Sequence, residues 1–239
     1  MKKVAVVTGS AKGLGRAIAR ALVDWGFTPV IHYRSSEKEA AEVLKQVQKK
    51  TPDAIAISAD LRNEKEVGRM FDKIYKKFKK VDLLVNNVGN FVYRDFSETT
   101  NSQFVDLLES NIYSTLFCSR ALLPSMRREK SGHIINIGVV GADHLNLLEK
   151  SAPYFFSKNG VWLLTKMMAN EEAKYGIHVN MISPASLETD IFKKSDFPMG
   201  RSAKYQDVIR VLEFLISDKA YYINGANIEV AGGFIPRIK

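Results

Sequence analysis

A glycine-rich turn near the amino terminus constrains the fold more than any other feature of the sequence. It follows an apolar, β-branched run from Lys2 to Val7, which is typical of a strand buried on both faces. The turn reads Thr8-Gly9-Ser10-Ala11-Lys12-Gly13-Leu14-Gly15, and apolar residues then recur at helical spacing as far as Trp25. Glycines between a strand and a helix let the backbone approach a pyrophosphate, which the helix amino terminus stabilises. The sequence therefore predicts an α/β domain that binds a dinucleotide.

The alternation of strand and helix patterns continues along all 239 residues. It is typical of a parallel sheet with right-handed crossovers and helices on both faces. We expect one Rossmann-type, doubly wound domain over residues 1–239, with seven parallel strands in the order 3-2-1-4-5-6-7 and a ligand at their carboxyl ends. After the first strand, the others are predicted at Thr28 to Tyr33, Ala54 to Ser58, Val81 to Val85, His133 to Ile137, Ile177 to Ile182 and Ile228 to Val230.

The end of the second predicted strand bears on the choice of dinucleotide. An NAD site usually has an acidic residue there, which accepts a hydrogen bond from the ribose 2′-hydroxyl. Here the strand ends in Tyr33-Arg34-Ser35-Ser36, without an acid. Arg34 and Ser35, together with Lys12, are predicted to hold a 2′-phosphate through charge-assisted hydrogen bonds. The sequence favours NADP over NAD, although an arginine after a strand is also an ordinary surface residue.

A tyrosine and a lysine lie four residues apart in Tyr154-Phe155-Phe156-Ser157-Lys158. On a helix, this spacing places both side chains on one face. A neighbouring ammonium group favours the phenolate and lowers the tyrosine pKa toward the range of a general acid or base. By itself the pair is equally explained by a packed tyrosine beside a solvated lysine, so its meaning depends on whether a hydride donor lies beside it.

Four motifs occur in order along the chain: the glycine turn, Asp60-Leu61, Asn86-Asn87-Val88-Gly89 and the Tyr-x-x-x-Lys pair. In these motifs the chain resembles the short-chain dehydrogenase/reductase family over essentially its whole length, and its terminal motifs are most similar to 3-oxoacyl-(acyl-carrier-protein) reductases. The resemblance implies reduction of a carbonyl by NADPH, with Tyr154 as proton donor. Lys158 is implied to bind the nicotinamide ribose and to lower the Tyr154 pKa, and Asn111 to hold a water of the proton relay.

The resemblance also implies a set of residues that contact the cofactor. They are Gly9, Ser10, Lys12, Gly13, Leu14, Gly15, Arg34, Ser35, Asp60, Leu61, Asn87, Gly89, Tyr154, Lys158, Pro184 and Thr189.

The chain departs from the family after the fifth strand, where a serine normally holds the substrate carbonyl. Counting forward from the strand, this position is Gly138 or Val139, and counting back from Tyr154 it is Gly141. None of the three has a hydroxyl, and loss of one such donor lowers a rate by about 10²- to 10³-fold. Two interpretations stay open: a reductase, in which His144 or Asn146 replaces the serine or catalysis is slower, and a nucleotide-binding homologue with weak or no catalysis that acts in binding or regulation.

The substrate is predicted from apolar and basic residues around the expected cleft. The segment from about 185 to 205 mixes both kinds and is predicted to form a lid. Four apolar residues favour an acyl or other apolar carbonyl substrate: Phe91, Val92, Phe155 and Phe156. Four basic residues lie in regions where the similar reductases bind an acidic acyl carrier protein: Arg127, Arg128, Lys130 and Lys174.

The formal charge of +9 suggests an anionic ligand or partner. Its densest basic cluster, between Lys73 and Lys80, ends an amphipathic helix, where lysines are favourable, so we expect no nucleic-acid partner.

No segment approaches the roughly 20 apolar residues of a membrane span, and the first apolar run is too short for a signal peptide. We expect a cytoplasmic protein without membrane or metal, and the resemblance implies a dimer or tetramer through the helices bearing Asn111 and Tyr154.

Overall fold

A seven-stranded parallel sheet forms the centre of the computed structural model, which describes residues 2–144, 150–188 and 196–236. The strand order is β3-β2-β1-β4-β5-β6-β7, which confirms the predicted fold class and order. The strands are β1 (Lys3–Val7), β2 (Phe27–Tyr33), β3 (Ile55–Ser58), β4 (Leu83–Asn86), β5 (Gly132–Ile137), β6 (Ile177–Pro184) and β7 (Asn227–Val230).

Helices cover both faces of this sheet, which explains why its central strands are apolar on both sides. The helices are α1 (Gly13–Asp24), α2 (Glu37–Val47), α3 (Glu64–Phe78), α4 (Asn101–Leu108), α5 (Ser114–Glu129), α6 (Ala152–Glu172) and α7 (Tyr205–Leu215). On one face the core is formed with α1 and α7, and α2 packs beside α1. On the other face it is formed with α3, α5 and α6.

The sequence predicts one long helix from about Ser102 to Met126, and the backbone is helical throughout this stretch, although it is not a regular α-helix. A π turn, Glu109–Tyr113, separates α4 from α5. It contains Asn111, whose Nδ2 donates to Leu107 O at 3.1 Å and to Asn90 O at 3.0 Å. Single π turns within helices occur frequently at functional sites. The asparagine therefore lies at a local change of helix geometry and is fully buried, whereas a polar residue within a regular helix usually faces solvent.

His32, on β2, bonds the glycine turn to the neighbouring strands. The Gly9 N–H donates to His32 Nδ1 at 2.9 Å, so Nδ1 carries no proton. The other ring nitrogen, Nε2, lies 3.0 Å from Ala59 O and therefore donates to it. Burial lowers the pKa of His32 to about 4, which keeps the ring neutral near pH 7. This neutral ring holds the turn after β1 against β2 and the end of β3.

Across the described ranges, no helix is both long enough and apolar enough to pass through a bilayer.

Candidate active site

The glycine turn forms a close cradle between β1 and α1. Gly9 and Gly13 have φ of +62° and +53°, which L side chains rarely adopt. A Cβ on Gly15 would overlap Gly9 O and lie 2.7 Å from Asn87 Nδ2. Ser10 closes the side of the cradle, since its Oγ accepts from the His32 N–H at 3.0 Å. These backbone requirements fit a pyrophosphate bound at the amino terminus of α1.

Asn87 and Val88, after β4, are fixed against the same cradle. Thr8 Oγ1 accepts from the Asn87 N–H at 2.8 Å and from the Val88 N–H at 3.0 Å. The Asn87 side chain donates from Nδ2 to Thr8 O at 2.9 Å. The Asn-Asn-x-Gly motif therefore joins the ends of two adjacent strands, where parallel sheets bind ligands.

The residues predicted for the adenosine end lie at the ends of β2 and β3. Lys12 forms an exposed ion pair with Glu39 at 2.7 Å, and Arg34 and Ser35 are exposed. Leu61 is buried in the core. At this end of the site, the exposed Arg34 is therefore open to an anionic group.

Asp60 has a partner that sequence reasoning missed. Arg62 holds its carboxylate through Nε–Oδ1 at 3.0 Å and Nη2–Oδ2 at 2.6 Å, and it also bonds Asp106 Oδ1 at 2.8 Å. The hydrogen bonds from Arg62 hold the pKa of Asp60 below its usual range. No sequence signal distinguished Arg62, because Asp106, its second acidic partner, is close to it only in the folded chain.

A cavity of about 340 Å³ opens at the carboxyl ends of the central strands and brings the predicted catalytic pair beside the cradle. We call this space the cavity. Its polar side chains are Asn87, Tyr154, Lys158 and Ser186. The rest of its wall is formed by Leu14, Gly89, Phe91, Ile137, Gly138, Val139, Val140, Phe155, Pro184, Ala185, Leu187, Phe234 and Pro236.

Tyr154 and Lys158 extend into the cavity from one face of α6, as their spacing predicted. Lys158 Nζ lies 5.7 Å from the centre of the Tyr154 ring and donates to Ile137 O at 2.8 Å. Burial lowers the pKa of Lys158 to about 8 and raises the pKa of the Tyr154 phenol above its ordinary value. In the chain by itself, burial outweighs the expected lowering of the Tyr154 pKa by Lys158, whose ammonium donates to Ile137 O. The phenol stays protonated near pH 7, as a proton donor must.

Asn111 approaches Lys158 from the π turn, behind Gly89. Its Oδ1 is fully buried and, among the described residues, has no hydrogen-bond partner. A Cβ on Gly89 would overlap Asn111 Oδ1 and lie 3.3 Å from Lys158 Nζ. The glycine thus allows a buried acceptor and a buried ammonium to come close to the same point.

In the described wall after β5, none of the predicted serine positions, Gly138, Val139 and Gly141, has a hydroxyl. Gly138 and Val139 line the cavity, whereas the Gly141 N–H donates to Glu229 Oε1 at 2.6 Å, away from it. His144 is exposed, pairs with Asp143 at 2.8 Å and is not part of the cavity wall. His144 therefore does not replace the serine in this structure. Asn146 and Thr189, the other predicted residues in question, lie outside the described residues.

Asp143, His144 and Glu229 also form a group whose ligand atoms lie within 4.8 Å of one another, close enough for a metal ion. Sequence reasoning did not bring them together. Their polar atoms are engaged in the bonds from Gly141 to Glu229 and between Asp143 and His144. These bonds explain why the three residues are close together: they hold the loop after β5 in place.

Of the four apolar residues predicted around the cleft, the structure places two in the cavity wall. Phe91 and Phe155 line the cavity, whereas Val92 and Phe156 do not, and Phe156 packs on Phe104 with 5.6 Å between ring centres. Ser186 lines the cavity but was not singled out, because a serine after Pro184-Ala185 matches no family motif. The lid stays a prediction, because residues 189–195 lie outside the described part.

The chain is similar to known oxidoreductases over most of its length. Residues 3–198 match the family described as short chain dehydrogenase. The chain is 33% identical over 246 residues to a 3-oxoacyl-(acyl-carrier-protein) reductase of Staphylococcus aureus, with 98% of each chain covered. It is 32% identical over 244 residues to an uncharacterized oxidoreductase of Methylorubrum extorquens, with 97% of each covered. A 3-ketoacyl-(acyl-carrier-protein) reductase of Brucella melitensis complexed with NADH matches with a TM-score of 0.89 and 28% identity, covering 97% of each chain.

Proposed function

This chain belongs to the short-chain dehydrogenase family of oxidoreductases, and on that premise we propose that it is an NADPH-dependent reductase of carbonyl compounds, with 3-oxoacyl thioesters as the favoured substrates. The observation that carries the proposal is the meeting of Tyr154 and Lys158 with Asn87 in one cavity, directly beside the glycine cradle. A phenol that is protonated near pH 7 therefore lies next to the place that fits a dinucleotide.

In the proposed reaction, the residues of the chain position the cofactor and supply the proton that the substrate oxygen takes up. The cradle around Gly9 and Gly15 binds the pyrophosphate, and NADPH, when bound, supplies the hydride. Tyr154 donates its proton to the carbonyl oxygen, and Lys158, protonated below its pKa of about 8, stabilises the phenolate that forms. A water between Asn111 Oδ1 and Lys158 Nζ returns the proton, since both groups approach the same point beside Gly89.

The walls of the cavity support an acyl substrate. Phe91, Phe155 and Phe234 present aromatic surface, and Val139 and Leu187 add aliphatic surface. An apolar wall with few polar groups suits a chain of methylenes next to one carbonyl. The names of the Staphylococcus and Brucella relatives indicate the same substrate class for those proteins.

The basic residues predicted to bind a carrier protein do not flank this cavity within one chain. They lie in the last turn of α5 or directly after α5 and α6, near the amino ends of the strands, whereas the cavity is at the carboxyl ends. Arg127 is engaged by the buried Glu172 through a bidentate pair, one bond of which is 2.7 Å.

We also propose a homo-oligomer, a dimer or a tetramer. Several large apolar side chains on α4, the π turn and α6 are exposed in the single chain: Val105, Tyr113, Leu163 and Met167. A group of exposed apolar residues is typical of a surface that binds another protein.

Turnover tests the proposed function. We expect the purified protein to oxidise NADPH in the presence of a short 3-oxoacyl thioester, with one alcohol formed per NADPH consumed. The assay follows absorbance of the reduced nicotinamide and identifies the product by mass spectrometry. Binding of NADPH without oxidation across a panel of ketones, aldehydes and thioesters would contradict the proposal and favour a nucleotide-binding role.

Arg34 decides the proposed preference for NADPH over NADH. Replacing Arg34 by alanine is expected to weaken NADPH binding by about 10- to 100-fold, since a hydrogen bond to a charged group contributes about 1.5–3 kcal/mol. NADH lacks the 2′-phosphate, so its affinity is expected to change little. Calorimetric titration measures both affinities, and Lys45→Ala, an equal loss of charge at an exposed position of α2, is the control. Equal weakening of both cofactors, or of neither, would show that Arg34 does not bind the phosphate.

A further inference from the structure

The cavity has one hydroxyl that the proposed reaction has not yet used. Four polar side chains line it: Asn87, Tyr154, Lys158 and Ser186. Asn87 Nδ2 donates to Thr8 O, and Lys158 Nζ donates to Ile137 O. Tyr154 has the proton that completes the alcohol. Ser186 is therefore the remaining neutral donor that faces a substrate in the described wall.

The Ser186 hydroxyl is free to donate a hydrogen bond to a substrate. No hydrogen bond reaches its Oγ from any residue within the described ranges, and the side chain is half-buried. Its backbone is held firmly, because Ser186 O accepts from the Ala203 N–H at 3.1 Å and Leu187 pairs with Ala203 in a β-bridge. The preceding Ala185 N–H donates to Val230 O at 3.1 Å. Because the backbone is fixed and the hydroxyl has no partner, the hydroxyl is preorganised to donate a hydrogen bond.

Other side chains near the gap after β5 do not meet this description. Ser183 Oγ is fully buried without a partner among the described residues, but it lies behind Gly138, where a Cβ on that glycine would overlap it. Ser183 and the buried Ser151 are both outside the cavity wall. His144 is exposed and bonded to Asp143.

We propose that Ser186 donates a hydrogen bond to the substrate carbonyl oxygen and so replaces the hydroxyl missing at Gly138-Val139. This inference rests on the proposed function. In the reaction, the hydride and its electron pair go to the carbonyl carbon, and the C=O π electrons become an oxygen anion that takes the proton of Tyr154. The O–H bond of Ser186 stays intact, and its hydrogen bond strengthens as charge develops on the oxygen.

Replacing Ser186 by alanine tests the proposal. We expect kcat for a 3-oxoacyl thioester to fall by about 10²-fold, the size typical of one lost oxyanion donor, with little change in KM. NADPH affinity, measured by calorimetry, is expected to stay unchanged. Ser186→Thr retains a hydroxyl and is expected to keep most of the activity. Ser183→Ala is the matched control, because it removes a nearby hydroxyl that does not line the cavity, and its kcat is expected to equal that of the wild type.

A second hydroxyl introduced at Val139 gives an independent check. Val139→Ser is expected to raise kcat strongly in the Ser186→Ala background and only weakly in the wild type, since the two hydroxyls would serve one oxygen. An equal gain in both backgrounds overturns the proposal. So does a Ser186→Ala variant with wild-type kcat, a loss of activity confined to Ser183→Ala, or a loss matched by weaker NADPH binding. If the wild type turns over and Ser186→Ala keeps the full rate, this role alone is overturned, whereas absence of wild-type turnover overturns the proposed function as well.

Discussion

Replacing Tyr154 by phenylalanine is expected to lower carbonyl reduction by about 10²- to 10⁴-fold, the range typical of a lost general acid. The change removes one hydroxyl from a ring that is packed edge-on against Phe91, with 4.9 Å between ring centres, so the packing survives. Lys158 keeps its bond to Ile137 O, and the cradle is untouched. NADPH affinity and thermal stability are therefore expected to stay near those of the wild type.

Single-turnover kinetics with saturating NADPH measures this effect on the chemical step. The matched control is Tyr222→Phe, the same change on a ring that is 97% exposed, which is expected to leave the rate unaltered. If Tyr154→Phe and wild type oxidise NADPH at the same rate, Tyr154 is not the proton donor. If both are inactive although NADPH binds, the nucleotide-binding interpretation is favoured.

Replacing Gly15 by alanine is expected to abolish measurable NADPH binding and to destabilise the fold by about 1–3 kcal/mol, the usual cost of overpacking. The new Cβ would overlap the carbonyl oxygen of Gly9 and lie 3.0 Å from its carbonyl carbon. Both are backbone atoms, so the strain cannot be relieved by a rotamer change. The cradle must open, and Asn87, 2.7 Å from the same Cβ, must move with it.

Gly68→Ala is the matched control for this prediction, because Gly68 also lies within a helix, α3, and nothing would contact its Cβ within 4 Å. It is expected to stabilise the protein by about 0.5–1 kcal/mol, since alanine is the better helix former. Thermal melts and calorimetric titrations measure both variants. A Gly15→Ala protein that binds NADPH like the wild type would show that the cradle does not hold the cofactor.

The sequence was sufficient for the sheet and for the cradle because both depend on local patterns. Apolar strand runs and their alternation with helices predicted a parallel sheet, the resemblance to a Rossmann-type fold implied its strand order, and the glycines predicted a close approach of backbone. The Tyr154 and Lys158 pair was placed correctly on one helix face by spacing alone. In each case, the relevant neighbours are near in sequence or follow from the topology of a parallel sheet.

The sequence was insufficient where distant residues or burial decide the outcome. The π turn around Asn111 has no local sequence signal that distinguishes it from a regular helix. The direction of the Tyr154 pKa follows from the depth of the cavity, which no motif encodes. Ser186 was missed because only the folded chain brings the loop after β6 and α6 into the same cavity wall.

The bonds of His32 make its ring a natural spectroscopic label for the glycine turn. Its Nε2 proton is held in a buried hydrogen bond to Ala59 O, and such protons exchange slowly with solvent. Its Nδ1 accepts from the amide of Gly9, the first glycine of the cradle. Because a ligand on that turn polarises the Gly9 amide, its binding changes the ¹⁵N resonance of Nδ1. Titrations with different dinucleotides are thus readable at one ring nitrogen, in the unmodified protein, without an assay of turnover.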